Sequence, residues 1–370
     1  MFKQAFSRMV LSGPMKRRLQ LSFLCFLCIL PLCLFNGWLR SFDGLPPVNP
    51  IGTCKSNCSG NRTTVTILLW HWPFNTPLSL EGDVCWDLCR IPRCRLVDQR
   101  SFLSSADVVV FHNRELRSGH QKLPVDSPRP RGQRWAWMSL EAPVHNGDLR
   151  RFAHMFNMTM SYRRDADIPI PYGELLPKEA DGQLTEEAPL NKSTLVCWVV
   201  SNYNRYHKRS KVYQELKATV DVKVYGRWTK KPLPSEDLLP TISRCYFYLA
   251  FENSLSKDYI TEKLWKNAYL GRAVPVVLGP QLSDYQAVAP PNSFIHVDQF
   301  PSVRELGKYL QSLAEDKKHY SDYFNWKLKW SVKLHTDWRE RLCKICPQYN
   351  RLPEQKVYSD LQAWVNADSA

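Results

Sequence analysis

The sequence predicts an α/β protein: two Rossmann-like domains behind an N-terminal transmembrane helix and a stem. Three observations carry this reading. The 370 residues, 44% of them apolar, suffice for about two domains with full cores. Buried-strand segments alternate with helical ones through the second half of the chain, the signature of βαβ units and a parallel sheet. Between Arg18 and Arg40 lie 21 residues without a charge.

That uncharged stretch would span roughly 31 Å as a helix, enough for a bilayer core. No small-x-small cleavage pair follows before Trp38, which favours an anchor (19–39) over a cleaved signal peptide. Lys16, Arg17 and Arg18 flank its N-terminal end, so residues 1–18 are expected in the cytosol and the rest in the lumen. Residues 40–62, rich in Pro, Gly, Ser and Asn, read as a flexible stem.

Six Lys or Arg sit in the first 40 positions; removing them from the formal +15 leaves +9. A luminal address makes nucleic acid an improbable partner for that excess and leaves an anionic small substrate or glycan. The Asn-x-Ser/Thr sites at Asn57, Asn61, Asn157 and Asn191 fit the same compartment. So do the nine cysteines beyond the anchor, an odd number that leaves at least one thiol over, free or paired with another chain. Cys343 and Cys346 lack a second well-spaced pair to complete a zinc site.

In the first domain (63–185), TVTILLW (64–70), ADVVVFH (106–112) and RWAWMSLE (134–141) read as buried strands. A polar, Pro-rich stretch over 171–193 then interrupts the pattern as an interdomain connection would. The second domain (186–370) alternates strand 194–200, helix 207–218, strand 222–226, strand 246–251, helix 261–270 and strand 274–279, with Gly271 expected as a left-handed helix cap.

The loop FENSLSKDYITEK between a buried strand and a helix is where a ligand of such a sheet binds. Thr261, Glu262 and Lys263 fall in or next to the first helical turn, where free N–H groups and the dipole favour phosphate. Taken alone, this tripeptide would be an ordinary helix start.

The whole stretch FENSLSKDYITEKLWKNAYLGRAVPVVLG (251–279) closely resembles the donor-site signature of the α1,3-fucosyltransferases, glycosyltransferase family ten. The resemblance runs from about Thr64 to the C-terminus and includes VVSN (199–202) and WMSLEAP (137–143). It implies a Golgi membrane enzyme of the GT-B type that moves L-fucose from GDP-fucose to O3 of N-acetylglucosamine in lactosamine-type glycans of glycoproteins and glycolipids. Ser201, Asn202, Arg209, Tyr225, Asn253, Tyr259 and Lys263 would then contact the donor. Glu141 would be the general base, and Glu262 would lie beside the fucose ring. Trp72, Arg114, Tyr172 and Trp338 are implied acceptor contacts.

The resemblance also implies that Cys85 and Cys94 bond with Cys343 and Cys346, that Cys197 bonds with Cys245, and that the C-terminal segment packs on the first domain. Stem cysteines would allow a homodimer. No cofactor is implied, and a divalent metal would at most stimulate: Asp165-Ala166-Asp167 resembles the metal motif of another glycosyltransferase class, which this family does not use. Most distinguishing segments resemble the branch acting on α2,3-sialylated lactosamine, whereas Cys197 and Cys245 resemble the neutral-acceptor branch. Arg131, Arg134 and Arg163 are candidate cations for a sialic carboxylate. A non-catalytic Golgi lectin and a transferase of other linkage are the competing readings.

Overall fold

The computed structural model describes residues 64–178 and 191–367. The expected tail, anchor and stem, with Asn57, Asn61, Cys54 and Cys58, lie outside them. Among the described residues no helix is long and apolar enough to cross a membrane.

Two parallel sheets form the framework. The first orders β2-β1-β3-β4-β5-β6 from β1 (Val65–Leu69), β2 (Cys94–Val97), β3 (Val108–His112), β4 (Arg134–Ser139), β5 (Met158–Ser161) and β6 (Ile168–Pro169). After β7 (Gly173–Pro177), the second orders β12-β11-β10-β8-β9. It comprises β8 (Thr194–Val199), β9 (Val222–Tyr225), β10 (Cys245–Phe251), β11 (Val274–Leu278) and β12 (Ile295–His296). Strands covered on both faces are continuous apolar runs, as in VVVFH of β3, where all five residues are buried.

The expected strands are all present, and both sheets share one strand order, in which the first strand lies between the second and third. The polar stretch over 171–193 is not simply a connection. Its beginning forms β7, which pairs antiparallel with β13 (Trp330–Leu334), a strand that periodicity did not reveal because all five of its residues are only half-buried.

Gly271 ends its helix without a left-handed turn, at φ −72°. A Cβ there would stand 2.1 Å from Asn267 O and 2.7 Å from Ile242 Cγ2, so close approach, not chirality, requires glycine. The helix itself, Lys263–Leu270, is a π-helix. Gly226 does need its left-handed φ of 117°, with Val200 O 2.1 Å from where a Cβ would lie.

The last residues return to the first sheet. Tyr358, Leu361 and Val365 join its core beside Trp137 and Phe156. Asn157 holds this segment: Nδ2 donates to Lys356 O at 2.9 Å, while Oδ1 accepts from Trp135 N at 2.9 Å. At 8% exposure this side chain is part of the fold, which corrects its reading as a glycan site in the folded protein. Asn191 is exposed.

Disulfides Cys85–Cys343 and Cys94–Cys346 staple the same segment to the first sheet, and Cys197–Cys245 joins β8 to β10. Cys89 is buried in the core that holds the first two. The two long-range bridges close nearly the same loop, with separations of 258 and 252 residues. While one remains, opening the other frees only a short ring, a loss of about 3 kcal/mol; opening both frees the long loop and costs about 5 kcal/mol more. Alanine replacement of Cys85 with Cys343, of Cys94 with Cys346, and of all four is therefore expected to be superadditive in urea unfolding. Equal, additive losses would contradict this.

Candidate active site

In a doubly wound sheet the crevice opens at the C-terminal ends of the strands, where the strand order reverses. Both sheets of this protein place their chemistry there. In the second sheet, Ser201 and Asn202 follow β8, Tyr225 ends β9, and Glu252 and Asn253 follow β10.

Lys263 lies at the centre of that edge. Its ammonium is 2.9 Å from Glu252 Oε2 and 3.0 Å from Glu262 Oε1, and donates to Thr261 Oγ1 at 2.8 Å. The side chain of Glu252 is 1% exposed and that of Lys263 16%. Burial pushes the Glu252 carboxyl up against the pull of Lys263. Burial opposes the charge of Lys263 as well, but the two carboxylates outweigh it and hold the ammonium protonated well above its ordinary range.

Glu252 also accepts from the Thr261 amide and hydroxyl at 2.8 and 2.9 Å. The Thr261 N–H, expected to be free for phosphate, is thus already used. Sequence reasoning missed Glu252, although an acid directly after the apolar run YFYLAF was a signal that it had a buried partner.

Arg209 joins this cluster from the helix Lys208–Leu216. It is buried, donates to Asn202 O, and feels Glu252, Tyr259 and Glu262 electrostatically; burial lowers its pKa. Its Nε and the Oδ1 of Asn253 are buried polar atoms without a hydrogen-bond partner among the described residues. Both atoms are free to take a polar ligand.

On the first sheet, Glu141 lies two residues beyond β4. It is half-buried, and its carboxylate has no hydrogen bond or ion pair among the described residues. Beyond β3, Arg114 lies over Phe74 at 4.5 Å, and Phe74 packs against Trp338 at 6.2 Å. Beneath them the buried Glu115 accepts from Phe74 N at 2.9 Å and bonds His112 Nδ1 at 2.5 Å.

Tyr172 and Tyr259 tie the edges together. Their rings meet at 6.4 Å, and the Tyr172 hydroxyl donates to Leu140 O at 2.7 Å, next to Glu141. Burial raises both phenols, and Glu141 and Glu262 each raise both further. A carboxylate from one sheet and a carboxylate–ammonium cluster from the other therefore act on the same pair of rings.

Several expected residues belong elsewhere. Trp72 is 8% exposed in the core of the first sheet, with Nε1 donating to Asp98 at 2.9 Å. Arg134 is buried against Tyr349, and Arg163 is buried on Asp165 and the carbonyls of Trp364 and Ala367. Arg131 is exposed but precedes β4, at the end of the sheet opposite Glu141. Arg131 and Arg134 thus lie at the far end of β4 from Glu141, and Arg163, although level with Glu141, is already committed to Asp165 and two backbone carbonyls. Asp165 is held by Arg163 at 2.7 Å, and Asp167 by Lys356 at 2.6 Å and Tyr358 at 2.8 Å. Cys343 and Cys346 are both spent in disulfides.

Two parallel sheets, with Arg209 and Lys263 at the edge of one and Glu141 at the edge of the other, are the frame of a group-transfer enzyme. Comparisons with known proteins agree. Residues 62–173 match the family model "Fucosyltransferase, N-terminal", and residues 189–364 match "Glycosyltransferase family 10 (fucosyltransferase) C-term". The chain belongs to glycosyltransferase family 10, and its class is that of the α1,3-fucosyltransferases.

It is 46% identical over 317 residues to alpha-(1,3)-fucosyltransferase 7 of Mus musculus, spanning 85% of this chain and 79% of that protein. With 4-galactosyl-N-acetylglucosaminide 3-alpha-L-fucosyltransferase 9 of Bos taurus it shares 39% over 340 residues, 90% of this chain and 93% of that one. A crystal structure of an alpha1,3-fucosyltransferase with GDP-fucose has the same fold: TM-score 0.54 at 16% identity, over 88% of this chain and 98% of that one.

The buried pair yields a test. Lys263→Met strands the Glu252 carboxylate and is expected to cost about 3–5 kcal/mol of stability. Adding Glu252→Gln should recover most of this in urea unfolding, while fucosyl transfer stays low because the second cation is still missing. Failure of the double variant to regain stability would show that Glu252 is not what Lys263 neutralises.

Proposed function

We propose that this protein is a Golgi α1,3-fucosyltransferase that transfers fucose from GDP-β-L-fucose, with inversion, to O3 of N-acetylglucosamine in lactosamine-type glycans, the two Rossmann-like domains of its GT-B fold lying in the lumen. The observation that carries the reading is geometric: the Tyr172 and Tyr259 rings meet at 6.4 Å with the Tyr172 hydroxyl on Leu140 O next to Glu141, while Lys263, between Glu252 and Glu262, supplies a cation on the second sheet. A lectin would have no use for such a cation site.

In the reaction, the acceptor O3 attacks the anomeric carbon as the bond to the β-phosphate oxygen breaks. Glu141 takes the O3 proton, and GDP leaves with the bonding electron pair. Arg209 and Lys263 stabilise the charge growing on the phosphate, and Glu262 the positive charge on the fucose ring. Ser201, Asn202, Tyr225, Asn253 and Tyr259 line the donor's path, and Arg114, Tyr172 and Trp338 the acceptor's. Two fixed cations do the neutralising that a divalent ion does elsewhere, so no metal is required.

Replacing Glu141 by Gln is expected to lower transfer by about 10²–10⁴ while GDP binding is kept, because an amide cannot accept the proton. Measured in EDTA, the wild type should retain most of its activity. Near-normal transfer by Glu141→Gln removes Glu141 as the base, and total loss in EDTA restored by manganese returns metal to the reaction.

The acceptor is α2,3-sialylated in preference to neutral lactosamine. The resemblance of most distinguishing segments to the branch acting on sialylated lactosamine supports this, and Arg114 is the candidate cation on the Glu141 edge. A charge-assisted bond to the sialic carboxylate corresponds to about 1.5–3 kcal/mol, roughly ten- to a hundredfold in preference. Side-by-side assays at matched concentration test it, and equal use of the neutral acceptor refutes it.

A further inference from the structure

The donor loop that follows β10 is held from the first sheet as well as from its own. β4 and β5 pair in register at Ser139 and Ser161, so the residues just past β5 lie level with Glu141 just past β4. Those residues, Tyr162 to Asp165, meet the donor loop three times. The Tyr162 ring packs on Tyr259 at 4.9 Å, and Asp165 reaches Lys257 at 3.9 Å.

The strongest of the three contacts is made by Arg164. Its backbone N–H donates to Asp258 Oδ2 at 3.0 Å and its Nε to Asp258 Oδ1 at 2.5 Å. Nη2 donates to Asp284 Oδ1 at 2.9 Å, in the helix Leu282–Gln286 beyond β11. Both carboxylates are buried, with side chains 4% and 10% exposed, and repel each other. Asp258 itself is held in the left-handed region at φ 59°, immediately before Tyr259. The Asp258 backbone N–H also bonds the Asp284 carboxylate, and the Arg164 guanidinium offsets the repulsion that remains between the two acids.

We propose that Arg164 is a positioning residue for fucosyl transfer: it clamps the donor loop, through Asp258 and Asp284, at a set distance from Glu141. The proposal rests on the functional reading above. The donor cations have their own support in the second sheet, through Glu252 and Thr261, and do not depend on Arg164. The clamp therefore governs the approach of acceptor oxygen to anomeric carbon and not the grip on GDP. Misplacing reacting groups by about 1 Å lowers rate by about a hundredfold.

The test uses the full-length protein in detergent with GDP-fucose and a type 2 lactosamine acceptor, alongside GDP affinity by calorimetry. Arg164→Gln is expected to lower kcat about ten- to a hundredfold while the Kd for GDP stays within about threefold. Arg164→Lys, a point charge that cannot fork to both carboxylates, should fall between Gln and wild type. Should Arg164→Gln not fold by thermal melting, Asp284→Asn, which cuts one arm only, is expected to show the same split at smaller size. Unchanged kcat, or kcat and GDP affinity falling by one common factor, overturns the proposal. A wild type that binds GDP but transfers no fucose overturns the functional reading, and the proposal with it.

Discussion

The buried ion pair between Glu252 and Lys263 is the constraint on which the site depends. A carboxylate 1% exposed at the end of β10 is unfavourable unless a cation meets it, and the cation comes from the π-helix that begins at Lys263. The pair fixes where that helix starts and draws in Thr261, whose amide and hydroxyl complete the shell of Glu252. It also keeps Lys263 charged in a place where burial alone would discharge it. Glu262, half-exposed on the outer side of the same ammonium, is left on the side where a donor sugar can approach.

Around that pair the two sheets repeat one topology. In each, the order reverses beside the first strand, so each opens a crevice at its C-terminal edge. The edges carry different groups: Arg209 and Lys263 on the second, and the Glu141 carboxylate on the first, which in the proposed reaction meet the departing phosphate and the incoming hydroxyl. Tyr162, Tyr172 and Tyr259 pack against one another between the two edges. The C-terminal segment, stapled by two disulfides and by Asn157, closes the first sheet from outside and brings Trp338 to its edge.

Much of this was legible in the sequence because the strands are buried on both faces. Runs such as VVVFH and YFYLAF need no partner information to be read as strands. The loop FENSLSKDYITEK stood out because polar residues follow a buried strand directly. β13 stayed hidden because each of its residues is half-buried and no periodicity of two develops. Gly271 was assigned by position to a left-handed cap, but a neighbouring carbonyl, not its own φ, demands glycine there.

The amino-acid sequence by itself determined the strands, because these follow from local pattern, and through its resemblance over 251–279 the family and the residues to look for at the two sheet edges. Only the tertiary structure decided which charges are spent within the fold. Arg163 is as basic in sequence as Arg209, yet it is consumed by Asp165 and backbone carbonyls, and Arg134, which like Arg209 keeps a buried Nε unpaired among the described residues, lies at the end of its sheet opposite Glu141. Trp72 and Asn157 likewise look available until their hydrogen bonds to Asp98 and Lys356 are seen. The physical reason is that availability for a ligand depends on partners brought from distant parts of the chain. No local pattern encodes those partners.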